Sequence, residues 1–240
     1  MESNLIIQKQ MKINSFFALL FLLCGCAHNS SFIGEKYLGA RYINNPLGEE
    51  KLPDVDPLIR TDAFDCVTFV ETALADGDIN KLIKIRYKNG KVDLLNRNHF
   101  IESDWLKNNS NIVENISNKY GKTKTRKVVI DKKSWFKRNY YINTDFRKQS
   151  IDLEYIPYNQ LEKIRIKEPL IVLFISGNSK IYDKIGTDLA VVHMGFLLPN
   201  GKLRHASKQQ KKVVDTDFIE YVNKRKQNKN NIGIALVEIK

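Results

Sequence analysis

The order of its apolar patterns constrains the fold of this chain most strongly. Apolar residues recur at helical spacing from Val67 to Leu74, whereas the C-terminal third holds apolar runs typical of strands. These runs are PLIVLFIS (169–176), DLAVVHMGFLL (188–198) and GIALVEI (233–239). Helices that come first and antiparallel strands that follow predict the α+β fold class.

The charge of the chain bears on its partners. The 240 residues carry a formal net charge of +12, but Lys and Arg are scattered along the sequence rather than clustered. Scattered cations are typical of a solvated surface, so we expect no nucleic-acid partner. A basic surface that faces an acidic polymer or anionic lipid head groups stays open as an alternative.

The N-terminal residues predict export. Lys9 and Lys12 precede the apolar run FFALLFLL (16–23), which is much shorter than the roughly 20 residues that span a bilayer. LCGC (23–26) follows and resembles a bacterial lipobox, with Cys26 as the acylated first residue of the mature chain. The alternative is a plain secretory signal in which Cys26 is incidental.

These features predict how the chain is organised. We expect a lipoprotein signal peptide at 1–25, a tether at 26–34 and one folded domain at 35–240. The mature protein would be anchored in the cell envelope and face the periplasm or the outside. Either Met1 or Met11 could start the chain, because a signal that begins at MKIN has a more usual length.

Of the three cysteines, Cys66 is the one that belongs to neither the predicted signal peptide nor the predicted lipid anchor. Cys24 leaves with the signal and Cys26 carries lipid, so the mature chain can form no intramolecular disulfide. Cys66 follows Asp65, a residue suited to cap a helix N-terminus, where free N–H groups and the helix dipole stabilise a thiolate. We therefore expect a lowered pKa and a nucleophilic role for Cys66; a buried small hydrophobe is the alternative.

The hairpin predicted at 188–207 decides whether two histidines can meet. With a two-residue loop, His205 would lie on the face away from His193. A three-residue loop PNG (199–201), with its glycine in the left-handed position, places His205 opposite Gly195 instead. His193 then becomes its diagonal neighbour on the same face, at about 7 to 8 Å between backbones. Gly195 leaves room between the two imidazoles.

Cys66, His193 and His205 are therefore predicted to be the nucleophile, the base and the group that orients the base. Two other interpretations compete with this one. Each histidine could merely satisfy its hydrogen bonds on a strand. Cys66 and histidines could also bind zinc, but no pair of ligands has finger-like or helical i, i+4 spacing, so we expect no metal and no cofactor.

Four motifs, in order, resemble the DUF1460 branch of the NlpC/P60 cysteine hydrolases. They are FDCVTFVETALA (64–75), NRNHFIESDW (96–105), HMGF (193–196) and RHAS (204–207). The resemblance implies a papain-like α+β fold over residues 35–240, with Cys66 as nucleophile, His193 as base and His205 as the orienting residue. The usual D-C-S/T-G wording is absent, and that departure is typical of this branch.

The resemblance also implies a substrate in bacterial peptidoglycan. Relatives cut either the amide between N-acetylmuramic acid and L-alanine, which is the reaction associated with this branch, or the γ-D-glutamyl bond to the diamino acid of the stem peptide. It further implies that Tyr42 and Asp65 hold the substrate near the thiol. Asn98, His99 and Trp105 would line the cleft, with burial of Trp105 in the core as the alternative. We expect a monomer; an inactive envelope-binding lipoprotein is the competing function.

Overall fold

The computed structural model of the protein describes residues 33–47, 59–178 and 180–240. The predicted signal peptide, the lipidation residue Cys26 and residues 26–32 of the tether lie outside these ranges. Within the ranges, no helix combines the length and the apolar composition that a membrane span requires.

The described residues form six α-helices and ten strands. The helices are α1 (Cys66–Ala75), α2 (Ile79–Arg86), α3 (Leu106–Asn108), α4 (Lys132–Tyr140), α5 (Ile181–Ile185) and α6 (Phe218–Lys226). The strands are β1 (Arg41–Tyr42), β2 (Ala63–Phe64), β3 (Val113–Asn115), β4 (Lys124–Ile130), β5 (Gln149–Pro157), β6 (Leu170–Ser176), β7 (Val191–Leu197), β8 (Lys202–Ser207), β9 (Lys212–Asp217) and β10 (Asn231–Ile239). A π-helical turn at Ile101–Trp105 leads directly into α3.

All ten strands belong to one sheet. Its order is β2-β1-β9-β8-β7-β6-β10-β5-β4, and β3 pairs with β10 beside this path. Every pairing is antiparallel except that of β1 with β2. The mixed α+β class predicted from the sequence is confirmed.

Each face of the sheet carries its own apolar cluster. On one face, Met194 and Phe196 of β7 pack with α1, and the rings of Phe69 and Phe196 lie 5.8 Å apart at 75°. On the other face, Phe174 of β6 packs in a cluster with Val222 of α6. The sheet is thus the middle layer, and the alternation of side chains along β7 connects both clusters.

A buried ion pair fixes the position of α1. Glu71 of α1 accepts a hydrogen bond from Arg86 of α2 at 2.9 Å, and both side chains are 1% exposed. A buried charge is stable when it is paired and hydrogen-bonded, so this contact holds the two helices in one relative position.

The predicted order of elements is right in outline and wrong in detail. Two short strands precede α1, and α4 and α6 interrupt the strands that follow it. The sequence of residues 110–150 shows no clear periodicity beyond the strand-like KVVI, which lies in β4. In the structure they also form α4, whose N-terminus is capped by the Asp131 side chain through the N–H of Ser134 at 2.9 Å.

Candidate active site

The sequence around Cys66 builds a capped helix start. Asp65 has extended backbone angles, and its side chain accepts the N–H groups of Val67 at 3.0 Å and Thr68 at 2.8 Å. The Thr68 hydroxyl accepts the N–H of Asp65 in return at 3.0 Å, which completes a capping box. The predicted N-cap is confirmed, and Cys66 is the first residue of α1.

The β7–β8 hairpin has the predicted three-residue loop. Phe196 pairs with Arg204, and Gly201 has a φ of 77°. This register places Gly195 opposite His205, as expected. A Cβ on Gly195 would lie 2.8 Å from the Cβ of His205, so the glycine is required for this close approach.

The two histidines of the hairpin are in direct contact. His193 Nε2 and His205 Nδ1 are 2.8 Å apart, and the ring centroids are 4.9 Å apart at 81°. The predicted placement on one face is confirmed. Because Nε2 of His193 is engaged with His205, Nδ1 is the ring nitrogen that His193 has left for another partner.

The thiol lies at the place where β7 and β8 separate. Both strands continue beyond Phe196 and Arg204, but their described pairing ends there. Helix α1 packs against both strands, and the backbone N–H of Met194 lies within hydrogen-bonding reach of the Cys66 sulfur. Met194 follows His193 directly, so the thiol lies beside the strand segment that carries the first histidine.

Tyr221 of α6 connects the thiol to the histidine pair. Its ring centroid lies 4.9 Å from that of His205 and 6.0 Å from that of His193. Burial raises the pKa of Tyr221, and the negative charge of a Cys66 thiolate raises this pKa further. Cys66, the two imidazoles and Tyr221 therefore form one cluster.

The expected lowering of the thiol pKa is wrong. Burial, and after it the charge of Asp65, raise the pKa of Cys66 to about 12. The nearby backbone N–H groups of Met194, Cys66 and Val67 lower the pKa of Cys66, but by less than burial and Asp65 raise it. The main reason is that burial removes the sulfur from water, and the Asp65 carboxylate, which caps the helix, adds a negative charge next to the sulfur.

The histidines are neutral at rest for a similar reason. Burial lowers the pKa of His193 well below its usual value, and His205 and Arg225 lower it further. Burial and Arg225 lower the pKa of His205 to about 4. The thiol and both imidazoles are therefore neutral near pH 7, and the resting site is not an ion pair.

Tyr42 and Asp65 lie close to the thiol, as the sequence predicted. Burial raises the pKa of Tyr42 to about 12, with further contributions from Cys66 and Asp65. The Tyr42 hydroxyl thus stays protonated and can donate a hydrogen bond near the sulfur.

A cavity of about 230 Å³ lies beside the helix start. Its lining includes Asp65, Arg97, His99, Trp135 and Tyr140. Burial lowers the pKa of His99 to about 3, and its Nε2 donates to the carbonyl of Leu94 at 2.7 Å, since a carbonyl can only accept. His99 is therefore a neutral ring in the cavity wall, and it packs on Trp135 with ring centroids 4.8 Å apart at 54°.

Two other residues predicted to line the cleft differ in where the structure places them. Trp105 is fully buried in the core, so the alternative interpretation is the one that the structure shows. Asn98 also borders the cavity but is 3% exposed. Its amide donates to the carbonyl of Ile85 at 2.9 Å and accepts from Asn108 at 2.6 Å, so it connects the segment to α2 and α3.

Sequence reasoning missed three residues near the histidines. Glu102, which is 4% exposed, accepts the N–H groups of Ala190 and Val191 at 2.5 and 2.8 Å, just before the bulge that precedes His193 in β7. Tyr221 and Arg225 approach the pair from α6. The helical i, i+4 spacing of Tyr221 and Arg225 was visible in the sequence, but nothing there indicated which strand face α6 covers.

The zinc interpretation gains no geometric support. Within the part of the chain that the structure describes, no three His, Cys, Asp or Glu side chains are arranged to hold a metal ion.

Comparisons with known proteins found one matching family and several similar solved structures. The profile of a family described as N-acetylmuramoyl-L-alanine amidase-like (AmiA-like) matches residues 32–233. A Legionella pneumophila protein of the DUF1460 family has a similar structure, with a TM-score of 0.79, 25% identity and coverage of 88% of each chain. No curated protein sequence matches significantly.

Structures of an N-acetylmuramoyl-L-alanine amidase from Bacteroides uniformis are also similar. Two of them have TM-scores of 0.66 and 0.65 at 24% and 25% identity. Both cover 86% of this chain, and this chain covers 95% and 97% of theirs. The similarity therefore extends over nearly the whole domain.

Proposed function

The chain belongs to the N-acetylmuramoyl-L-alanine amidase-like family, and on this premise we propose that it hydrolyses the amide between N-acetylmuramic acid and L-alanine in peptidoglycan fragments. The observation that carries the proposal is the 2.8 Å contact between His193 and His205 beside a cysteine at a helix start. A nucleophile, a base and a group that orients the base are the parts that acyl transfer requires.

The resting charges support a general-base mechanism. As the Cys66 sulfur attacks the amide carbonyl, the thiol proton moves to Nδ1 of His193, and Nδ1 of His205 stabilises the imidazolium by accepting a hydrogen bond from its Nε2. His193 then gives this proton to the leaving amine of L-alanine while the C–N bond breaks. Water attacks the resulting thioester, His193 takes its proton, and the sulfur leaves as the thiol.

Two donors are suited to the oxyanion that forms in these steps. The N–H groups of Val67 and Thr68 are occupied by Asp65, so the helix start offers the N–H of Cys66, which has no acceptor among the described residues. The protonated hydroxyl of Tyr42 is the second donor. Donors fixed before the reaction stabilise the developing charge without reorganisation.

The cavity beside Asp65 is the proposed binding site for the substrate. Aromatic surfaces of Trp135 and Tyr140 suit a sugar or an apolar side chain, whereas Arg97 suits a carboxylate of the stem peptide. Asp65, already committed to the helix cap, would contact the substrate through its remaining carboxylate oxygen.

We also propose membership of the NlpC/P60 superfamily, with its papain-like fold. A helix that begins with the cysteine, followed by an antiparallel sheet whose hairpin carries both histidines, supports this assignment. The matched segment begins at residue 32, close to the end of the predicted tether, which supports a catalytic domain over residues 35–240.

The bond that is cut is tested with defined muropeptides. Mass analysis of the products should show intact stem peptides that begin with L-alanine, together with free N-acetylmuramic acid. L-Ala-D-Glu retained on the sugar, with release of a peptide that begins with the diamino acid, would instead identify a γ-D-glutamyl endopeptidase. No turnover of either substrate by the native protein would favour an inactive envelope-binding lipoprotein.

Anchoring through Cys26 is a separate proposal, supported by the lipobox-like LCGC sequence. Stable anchoring requires more than one acyl chain. Intact mass measurement of the native protein from membranes should show an N-terminus at Cys26 with multiple acyl groups. An unmodified Cys26 behind an uncleaved signal would contradict the proposal.

A further inference from the structure

One nitrogen of the histidine pair has no conventional partner. His205 is 1% exposed, and its Nε2 atom is buried without a hydrogen-bond partner among the described residues. Its other nitrogen, Nδ1, is engaged with His193. Buried polar atoms are rarely left without a partner, so this atom calls for an explanation.

The proposed chemistry determines which protons the two rings must carry. For His193 to accept the thiol proton at Nδ1, its own proton must be on Nε2, where it is donated to Nδ1 of His205. His205 must then carry its proton on Nε2. If His205 held its proton on Nδ1 instead, that proton would be donated to His193, and His193 could not act as the base.

An aromatic ring packs against His205. The Tyr221 ring centroid is 4.9 Å from that of His205, and the two planes are inclined at 70°, an edge-to-face arrangement. The face of an aromatic ring is electron-rich and can accept an N–H. It offers little to a nitrogen lone pair, which it would repel.

The Tyr221 ring is itself held in place. Arg225 donates to the Tyr221 hydroxyl at 3.4 Å, and its guanidinium carbon lies 5.0 Å from the centroid of the Phe174 ring. Phe174 in turn packs edge-to-face on Tyr221 with centroids 5.1 Å apart. Helix α6 therefore presents a fixed ring to the histidine pair.

We propose that Tyr221 is a positioning residue whose ring accepts the Nε2 proton of His205 and so holds both histidines in the tautomer that leaves His193 Nδ1 free to act as a base. The inference rests on the proposed function for its catalytic consequence. The tautomer of His205, on which the inference depends, can be measured whether or not the protein hydrolyses a substrate.

The native protein provides the first test. Long-range ¹H–¹⁵N correlation spectra of ¹⁵N-histidine-labelled protein near pH 7.5 distinguish a protonated from an unprotonated ring nitrogen. His205 should carry its proton on Nε2, and this proton should be shifted upfield because it points at an aromatic face. A His205 protonated on Nδ1 would overturn the proposal.

Two substitutions separate the ring from its hydroxyl. Tyr221→Phe keeps the ring, so the Nε2 proton and its upfield shift should persist. Tyr221→Leu should remove the upfield shift and allow a second His205 tautomer, and kcat should fall about tenfold or more with little change in KM. Tyr141→Leu, the same change at a side chain that is 91% exposed, is the matched control.

The outcomes remain distinguishable if a variant unfolds or the enzyme assay fails. Thermal unfolding identifies a Tyr221→Leu protein that has not folded, and the native spectrum then decides the proposal alone. An unchanged tautomer and unchanged shift in folded Tyr221→Leu would overturn it. The predicted spectra without turnover of any muropeptide would instead refute the proposed function and leave the ring contact established.

Discussion

Replacing Gly195 with alanine should disable the site while leaving most of the fold intact. A Cβ at this position would lie 2.7 Å from the Arg204 carbonyl oxygen and 2.8 Å from the Cβ of His205. Ordinary contact begins at 3.4 Å, so the two strands would have to separate by about 0.7 Å. Backbone atoms of a hairpin cannot yield by rotating a side chain, so β8 must move.

The size of the effect follows from this displacement. Overpacking of this kind costs about 1 to 3 kcal/mol of stability, a loss that a cooperative domain of this size tolerates. The catalytic loss is larger, because a displacement near 1 Å between catalytic groups can reduce the rate by about 100-fold. We therefore expect kcat/KM to fall by roughly two orders of magnitude in a protein that still folds.

The assay compares two glycines of the same hairpin. Gly201→Ala meets no atom within 4 Å, but its φ of 77° strains an alanine, so it should lose stability of about 1 kcal/mol and keep most of its activity. Muropeptide turnover and thermal unfolding are measured for both variants. Native kcat/KM in Gly195→Ala would show that the close approach of the histidines does not matter, and would refute the reasoning.

Three further predictions concern charge and proton transfer. His193→Ala should reduce kcat/KM by about 10³-fold or more, and His205→Ala by less, because water can partly replace an orienting group; the reverse order would contradict the assigned roles. Asp65→Asn keeps an oxygen for the helix cap but removes the charge that raises the Cys66 pKa, so alkylation of Cys66 by iodoacetamide at pH 8 should accelerate, and an unchanged or slower rate would show that the charge is not felt. The pKa of His205 is lowered from 6.5 to about 4, so between these pH values the unfolded chain binds a proton that the native protein does not. Stability to denaturant should therefore fall as the pH falls from 6.5 to 4. His205→Gln should flatten this dependence of stability on pH.

Local patterns were sufficient to predict the parts of the site that depend on neighbouring residues. The capping residue Asp65 precedes a helical apolar pattern, and the PNG loop fixes the register of β7 and β8. From that register alone, the meeting of His193 and His205 followed, as did the room that Gly195 leaves between them. Such features depend on residues that are close together in the sequence, so the sequence is sufficient to predict them.

The remaining features depend on long-range packing. Burial is the main cause of the raised pKa of Cys66, and the sequence of α1 does not show how deeply the thiol is buried. The argument from the helix dipole therefore predicted a pKa shift in the wrong direction. Trp105 and Asn98 lie in a polar, aromatic segment that was predicted to face a cleft, but the π-helical turn at Ile101–Trp105 rotates Trp105 into the core. The approach of Tyr221 to His205 joins α6 to β8, and no local pattern determines that contact.

The mass of the covalent intermediate tests the central claim most directly. The native protein is mixed with excess muropeptide, quenched in acid within milliseconds to seconds, digested and mapped for adducts. The account predicts a muramoyl thioester on Cys66 that is missing from Cys66→Ser. A thioester heavier by L-Ala-D-Glu, which is muramoyl-L-Ala-D-Glu on Cys66, would contradict the proposed bond, and a substrate adduct on any other residue would contradict the nucleophile.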